Sequence, residues 1–111
     1  MKKAFTLIEI MMVVAIIGLL AAIGIPSFLN ARKSSETNMK AVNVSAVNAA
    51  KEQWSIMENK PIGTALPTTQ AGFTNIAAYI GGGITNLAGF NVPVGSTNGI
   101  TLNAVGTSAT Y

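Results

Sequence analysis

The stretch Lys2-Lys3-Ala4-Phe5-Thr6-Leu7-Ile8-Glu9 leads directly into residues 10–31, where no residue carries a formal charge. Those 22 residues are mostly apolar. A bilayer-spanning helix needs about 20 such residues, so the segment predicts one membrane-length helix. Glu9, at the start of this apolar helix, is a charged residue that needs an explanation. An ionised carboxylate deep in a membrane helix costs about 2.5 to 3.5 kcal/mol on insertion scales and usually has a partner. Glu9 is therefore the first candidate functional residue.

A second helical pattern follows the apolar segment. Its apolar and small residues recur near helical spacing, which predicts a packing face for the rest of the chain. The members of that predicted face are Met39, Val42, Ala46, Ala49, Ala50, Gln53 and Met57. The charged residues Lys40, Lys51, Glu52 and Glu58 fall mostly elsewhere. One continuous helix over residues 5 to about 58 would be roughly 80 Å long at 1.5 Å per residue.

The sequence Asn59-Lys60-Pro61-Ile62-Gly63 predicts the end of this helix. Proline cannot continue the hydrogen-bond ladder, and a lysine suits a helix C-terminus. We therefore expect a small head over residues 61–111, anchored to the helix by the large side chain of Trp54.

Two patterns suggest the structure of the head. Residues 72–80 end at a run of three glycines and favour a short helix over a plain connection. Val92 and Val94, then Ile100 and Leu102, flank Gly95-Ser96-Thr97-Asn98-Gly99, and apolar alternation around an Asn-Gly turn is typical of a β-hairpin. A third strand would end at Tyr111. The predicted fold class is α+β: one long N-terminal helix with a hairpin or three-stranded meander packed on its second half.

Composition limits the chemistry that this chain can perform. The 111 residues include no cysteine, histidine or aspartate, which removes thiol chemistry, the usual zinc ligands and the commonest general bases. We predict no enzyme, no cofactor and no metal site. Nothing after Lys60 is charged. Such a head suits an assembly or a glycan-carrying surface, although a surface of Thr, Ser, Asn and Gln is the plain alternative.

The N-terminal block resembles the start of type IV prepilins and of the pseudopilins of type II secretion. In that family a short basic leader ends in Gly-Phe-Thr-Leu-Ile-Glu before a hydrophobic helix. Ala4 stands here in place of the glycine and keeps a small side chain at the junction. The likeness continues through Ala15-Ile16-Ile17-Gly18-Leu19-Leu20-Ala21-Ala22-Ile23-Gly24-Ile25-Pro26 and covers about thirty residues. A match of this length and order is far more specific than a three-residue motif.

The resemblance implies processing and assembly. Prepilin peptidase would cleave between Ala4 and Phe5 and would N-methylate Phe5. Glu9 of one copy would then pair with the Phe5 amine of a neighbouring copy, and this pairing would set the register of assembly. The alternatives are a Glu9 solvated at headgroup level, an ordinary secretory signal cut after Ala21-Ala22, and an uncleaved anchor.

The resemblance also gives roles to other residues of the apolar segment. Gly18 and Pro26 would mark the span where the helix loosens after assembly. The stem would pack through Leu7, Ile8, Met12, Ile16, Leu19 and Ile23. Arg32, Lys33 and Lys40 form a basic cluster just outside this segment that could contact phospholipid headgroups, although solvation or pairing with Glu36 is favoured. DNA binding by this cluster is conceivable only for an uptake filament and is not favoured.

Together these features predict a structural subunit of a type IV pilus (fimbrium). The organisation would be a leader over residues 1–4, a transmembrane polymerisation stem over 5–31, an amphipathic half-helix over 32–60 and a head over 61–111. Its partners would be other copies in a helical filament, prepilin peptidase, membrane lipid before assembly, and an inner-membrane platform with its ATPase. We expect a single-pass precursor in the bacterial inner membrane and then an extracellular pilus. The alternatives are a periplasmic pseudopilin of type II secretion and a monomeric membrane-anchored binding module.

Overall fold

The computed structural model describes residues 2–66, 70–82, 84, 86–92 and 99–111. The chain separates into two compact units, Met1–Ser35 and Glu36–Tyr111. Helix α1, Leu7–Met57, contributes residues to both of them. The long N-terminal helix predicted from the sequence is confirmed.

In the first unit, α1 runs through Gly18 and Pro26 without interruption. Pro26 has no N–H, so the Ala22 carbonyl lacks its usual helical donor. The large apolar side chains in this unit are at least half exposed. By length and composition, α1 is the one helix among the described residues that could cross a membrane.

Helix α1 ends at a left-handed residue, as helices commonly do. Asn59 has a φ of 51°. The N–H of Lys60 donates to the Ser55 carbonyl at 2.8 Å, and that of Glu58 donates to the Trp54 carbonyl at 2.9 Å. These bonds satisfy carbonyls at the helix end, and Pro61 follows. The helix thus ends at Met57, two residues before the stop predicted at residues 59–63.

The second unit adds short elements to its part of α1. Helix α2 spans Gln70–Ile76 and is followed by a 3₁₀ turn, Ala77–Tyr79, so the short helix expected near residues 72–80 is confirmed. Another 3₁₀ turn spans Leu87–Phe90. Thr101 and Thr110 form an isolated antiparallel β-bridge, and the described residues contain no longer strand. The Gly95-to-Asn98 part of the predicted hairpin turn, with Val94, lies outside the described residues, so the β part of the fold class stays a prediction.

One apolar core holds the second unit together. Phe73 of α2 meets Phe90 of the second 3₁₀ turn edge to face, with ring centroids 5.8 Å apart. Both rings are essentially fully buried. The other buried members of the core are Val47, Ala50, Trp54, Leu66, Ile76, Ile80, Ile100, Leu102, Val105 and Ala109.

The packing face that we predicted for α1 is wrong in most positions. The buried face consists of Val47, Ala50, Lys51 and Trp54. Of the predicted members only Ala50 is buried; Ala46 is half-buried, and Met39, Val42, Ala49, Gln53 and Met57 are exposed. Lys51, which the charge pattern placed outside the face, is 2% exposed. Lys51 can be buried because two backbone carbonyls of the head accept hydrogen bonds from its ammonium group.

Candidate functional site

Glu9 is held by Thr6 at the first turn of α1. The Thr6 N–H and the Thr6 hydroxyl both donate to Glu9 Oε2, at 2.8 Å and 2.9 Å. In return, the Glu9 N–H donates to Thr6 Oγ1 at 3.3 Å. This reciprocal pattern is a capping box, in which a threonine before the helix and a glutamate three residues later satisfy each other's backbone donors. Within the single chain, Glu9 already has a role that our sequence interpretation missed.

The capping box fixes where the helix begins, and the expected cleavage junction lies before it. Ala4, Phe5 and Thr6 are outside the helix, which starts at Leu7. Ala4 and Phe5 are both exposed. A peptidase needs an accessible, extended backbone, and a bond between these two residues meets the accessibility requirement.

Phe5 and Glu9 lie together at one surface hollow. The hollow has a volume of about 350 Å³, and its other lining residues are Ile10, Met12 and Val13. An amine at Phe5 would therefore lie beside apolar surface, on a residue that lines the same hollow as Glu9. Two groups that are costly alone in apolar surroundings can stabilise each other in such a place, provided that their geometry is good.

The predicted stem-packing residues are all exposed in the single chain. Leu7, the most exposed of them, keeps 80% of its side-chain surface accessible. The remaining members, each at least half exposed, are Ile8, Met12, Ile16, Leu19 and Ile23. An apolar surface of this extent marks a site for contact with lipid or protein.

A different group of polar residues fixes the C-terminal segment of the chain onto α1. The Lys51 ammonium donates to the Thr107 carbonyl at 2.5 Å and to the Asn103 carbonyl at 3.3 Å. Asn48 accepts from the Ala109 N–H at 2.9 Å and donates to the Ser108 hydroxyl at 3.1 Å. Burial lowers the pKa of Lys51, opposed in part by the negative charge of Glu52. We call this group the Lys51 clasp.

Tyr111 adds a further contact at the other side of the same segment. Its hydroxyl donates to the Phe90 carbonyl at 2.6 Å and accepts from the Asn43 amide at 2.5 Å. The ammonium of Lys40 lies 5.5 Å from the centre of the Tyr111 ring, a cation–π distance. Burial raises the pKa of Tyr111. Lys40, predicted as part of a basic cluster, thus contacts the head.

Comparison with known proteins identifies the N-terminal segment. Residues 1–25 match the model of the prokaryotic N-terminal methylation motif. A fimbrial protein of Pseudomonas aeruginosa is 46% identical over 61 residues, which cover 55% of this chain and 39% of that protein. The type IV major pilin protein PilA of Myxococcus xanthus is 44% identical over 53 residues, or 48% of this chain and 24% of PilA. The N-terminal segment of this chain is thus similar to that of type IV pilins.

The similarity is concentrated in this N-terminal segment. The type IV major fimbrial protein FimA of Dichelobacter nodosus is 67% identical over 30 residues, covering 27% of this chain and 19% of FimA. The chain therefore matches less than half the length of these relatives. No solved structure matches it significantly.

Two sets of contacts in the structure were not predicted from the sequence. The capping box was readable from Thr6-Leu7-Ile8-Glu9, a threonine followed three residues later by a glutamate before an apolar run. The Lys51 clasp had no comparable signal, because its acceptors are backbone carbonyls more than fifty residues away along the chain. Among the described residues, no group of three His, Cys, Asp or Glu side chains could hold a metal ion.

Proposed function

We propose that this chain is a structural subunit of a type IV pilus-like filament. The observation that carries the proposal is the methylation motif at residues 1–25, which continues into an exposed apolar helix. The relatives reported above are named as fimbrial or pilin proteins. A helix with this much exposed apolar surface needs lipid before assembly and other copies after it.

The proposed assembly begins with cleavage between Ala4 and Phe5. Cleavage removes the charges of Lys2 and Lys3 and leaves a positive α-amine on Phe5, which is then methylated. When copies stack through their stems, Glu9 of one copy meets the Phe5 amine of another. Removing one partner of a buried pair costs about 3 to 5 kcal/mol, which is enough to prevent docking of a subunit.

Within this proposal, an inner-membrane platform with its ATPase extracts the subunit from the bilayer. The stem then exchanges lipid contacts for contacts with other copies through Leu7, Ile8, Met12, Ile16, Leu19 and Ile23. Gly18 and Pro26 lower the stability of the helix between them, so this span is where the helix would loosen in an assembled filament. Trp54 contributes to the core that attaches the head to the helix.

The experiment that tests the function is intact-mass analysis with N-terminal sequencing of membrane and sheared extracellular fractions. The expected result is a chain that begins at methylated Phe5 in the sheared fraction. Methylated Phe5 confined to the cell envelope would instead identify a pseudopilin. A chain that keeps Met1 everywhere, or one cut after Ala22, would overturn the filament proposal in favour of an anchored or secreted module.

A further inference from the structure

The face of α1 opposite the core of the second unit is exposed along its length. Ser45, Ala49, Glu52 and Ile56 follow each other at spacings of four, three and four residues, so they lie on one side of the helix. All four are exposed, and Ile56 keeps 78% of its surface accessible. We call this surface the outer face.

The outer face has a defined chemical order along the helix. Two small residues, Ser45 and Ala49, come first, then the carboxylate of Glu52, then Ile56. Small side chains allow a second helix to approach closely, because the distance between packed helices depends on the side chains at the contact. A fitting partner therefore presents a large apolar group followed, one turn later, by a positive charge.

Another surface of the same chain has this order. Phe28 and Leu29 are followed one turn later by Arg32 and Lys33, and these four residues share a helix side. Phe28 is 69% exposed and Leu29 55% exposed, and both basic residues are exposed. With Glu36 included, this basic turn carries a surplus of one positive charge. Its charge is opposite to that of Glu52 on the outer face.

We propose that the basic turn of one copy packs on the outer face of a second copy of this chain. Phe28 and Leu29 lie over Ser45 and Ala49, and Arg32 or Lys33 faces Glu52. This proposal rests on the proposed filament function, because it requires parallel copies displaced along a common axis. Pairing residue 32 with residue 52 sets that displacement at 20 residues along the helix.

Charge reversal tests the pairing. Glu52→Lys, and separately the double variant Arg32→Glu with Lys33→Glu, each place like charges opposite one another. We expect at least a fivefold loss of sheared filaments from each, with unchanged subunit in the membrane fraction. Combining all three substitutions restores the attraction, and the yield should return to within twofold of wild type. Lys60→Glu is the matched control, since this exposed charge lies on neither surface.

The two ways of failing can be told apart. If wild-type protein makes no filaments, the proposed function is wrong and the pairing falls with it. If wild type assembles while Glu52→Lys behaves like Lys60→Glu, only the pairing is wrong. A combined variant that stays as defective as its components also overturns the pairing, because the charges would then act elsewhere.

A second measurement tests the register without relying on charge. The chain has no cysteine, so introduced cysteines report one contact each. Leu29→Cys together with Ala49→Cys should give a ladder of disulfide-linked subunits when filaments are oxidised. The control pairs Leu29→Cys with Ala41→Cys, which lies eight residues, or roughly 12 Å, away along the helix. An equal ladder from both pairs, or none from the first, would overturn the proposed register.

Discussion

Glu9 has one observed role, capping α1 with Thr6, and one proposed role, pairing with a Phe5 amine, and different substitutions can separate them. Its contacts with Thr6 need only a hydrogen-bond acceptor, and capping boxes use glutamine as well as glutamate. Pairing with a Phe5 amine needs a negative charge. In the single chain the first requirement is already met, at 2.8 Å and 2.9 Å from the two Thr6 donors. Neutral substitutions of Glu9 therefore test which of the two roles is needed for assembly.

We predict that Glu9→Gln and Glu9→Ala both stay in the membrane and both lose sheared filaments. Loss of charge leaves the Phe5 amine unpaired in apolar surroundings, at a cost of about 3 to 5 kcal/mol. Thr6→Val is the comparison, because it removes the hydroxyl cap, worth about 1 kcal/mol, and keeps the carboxylate. Filament yield after shearing is the measurement. Wild-type yield from Glu9→Gln would assign the capping role, and not the charge, to assembly.

Lys51 makes two hydrogen bonds that hold the C-terminal segment. It is 2% exposed, and its ammonium donates to two backbone carbonyls of that segment. Lys51→Met keeps an unbranched side chain that is one atom shorter and removes both hydrogen bonds. Leaving buried acceptors unsatisfied costs about 1 to 3 kcal/mol.

We therefore predict that Lys51→Met lowers the free energy of unfolding by about 1 to 3 kcal/mol. Urea titration of the full chain in detergent, followed by the fluorescence of the single tryptophan, Trp54, provides the measurement. Lys60→Met removes an exposed lysine and should change the value by less than about 0.5 kcal/mol. Equal effects of the two substitutions would show that the Lys51 clasp does not stabilise the head.

At the scale of single elements, α1 shows what periodicity can and cannot predict. Its existence, its length and its end near Asn59 follow from an uncharged run, helical spacing and proline. Its buried face in the second unit does not. Apolar spacing predicted that Met39, Val42 and Met57 would be buried, but all three are exposed. Periodicity detects only hydrophobic side chains, whereas the head meets the helix at Lys51 through a backbone carbonyl. The exposed apolar residues that remain are candidates for contacts with other copies.

Helix α2 is too short to be stable by itself, since isolated helices under about 12 residues are marginal in water. Its seven residues are held by Phe73 and Ile76, both fully buried. We predict that Phe73→Ala lowers the free energy of unfolding by about 3 to 5 kcal/mol, through lost burial and a cavity beside Phe90. The same urea titration measures it. Asn75→Ala, an exposed position of the same helix, should be nearly neutral, and a comparable loss there would contradict the packing argument.

At the scale of the whole molecule, the two units differ in how much of their structure can be predicted from the sequence. The long helix could be predicted because an uncharged apolar run of membrane length is a local signal. Most of the head, apart from its short helix, could not, because its order depends on contacts between distant residues, such as Lys51 with Thr107 and Asn43 with Tyr111. Without charge after Lys60, the head also offers no electrostatic pattern from which its packing can be inferred.

Two of those distant contacts give the whole protein an alkaline pH dependence with opposite signs. Burial lowers the pKa of Lys51 below 10.5, so the unfolded chain binds more protons in the window just below that value, and stability rises with pH there. Burial raises the pKa of Tyr111 above 10.0, so the folded chain keeps its proton longer, and stability falls as pH rises from that value. The midpoint of urea unfolding should therefore receive a rising contribution from Lys51 below pH 10.5 and a falling contribution from Tyr111 above pH 10.0.

Single substitutions should separate the two limbs of that profile. Lys51→Met should remove the rise that precedes 10.5, and Tyr111→Phe should remove the fall that begins near 10.0. The measurement is a series of urea midpoints across alkaline pH in detergent, with Lys60→Met as the control for removing a lysine. A Lys51→Met profile that keeps the rise would mean that the burial of this ammonium does not govern the stability of the head. Because the two limbs come from the titration of two different groups, each substitution should remove its own limb and leave the other in place.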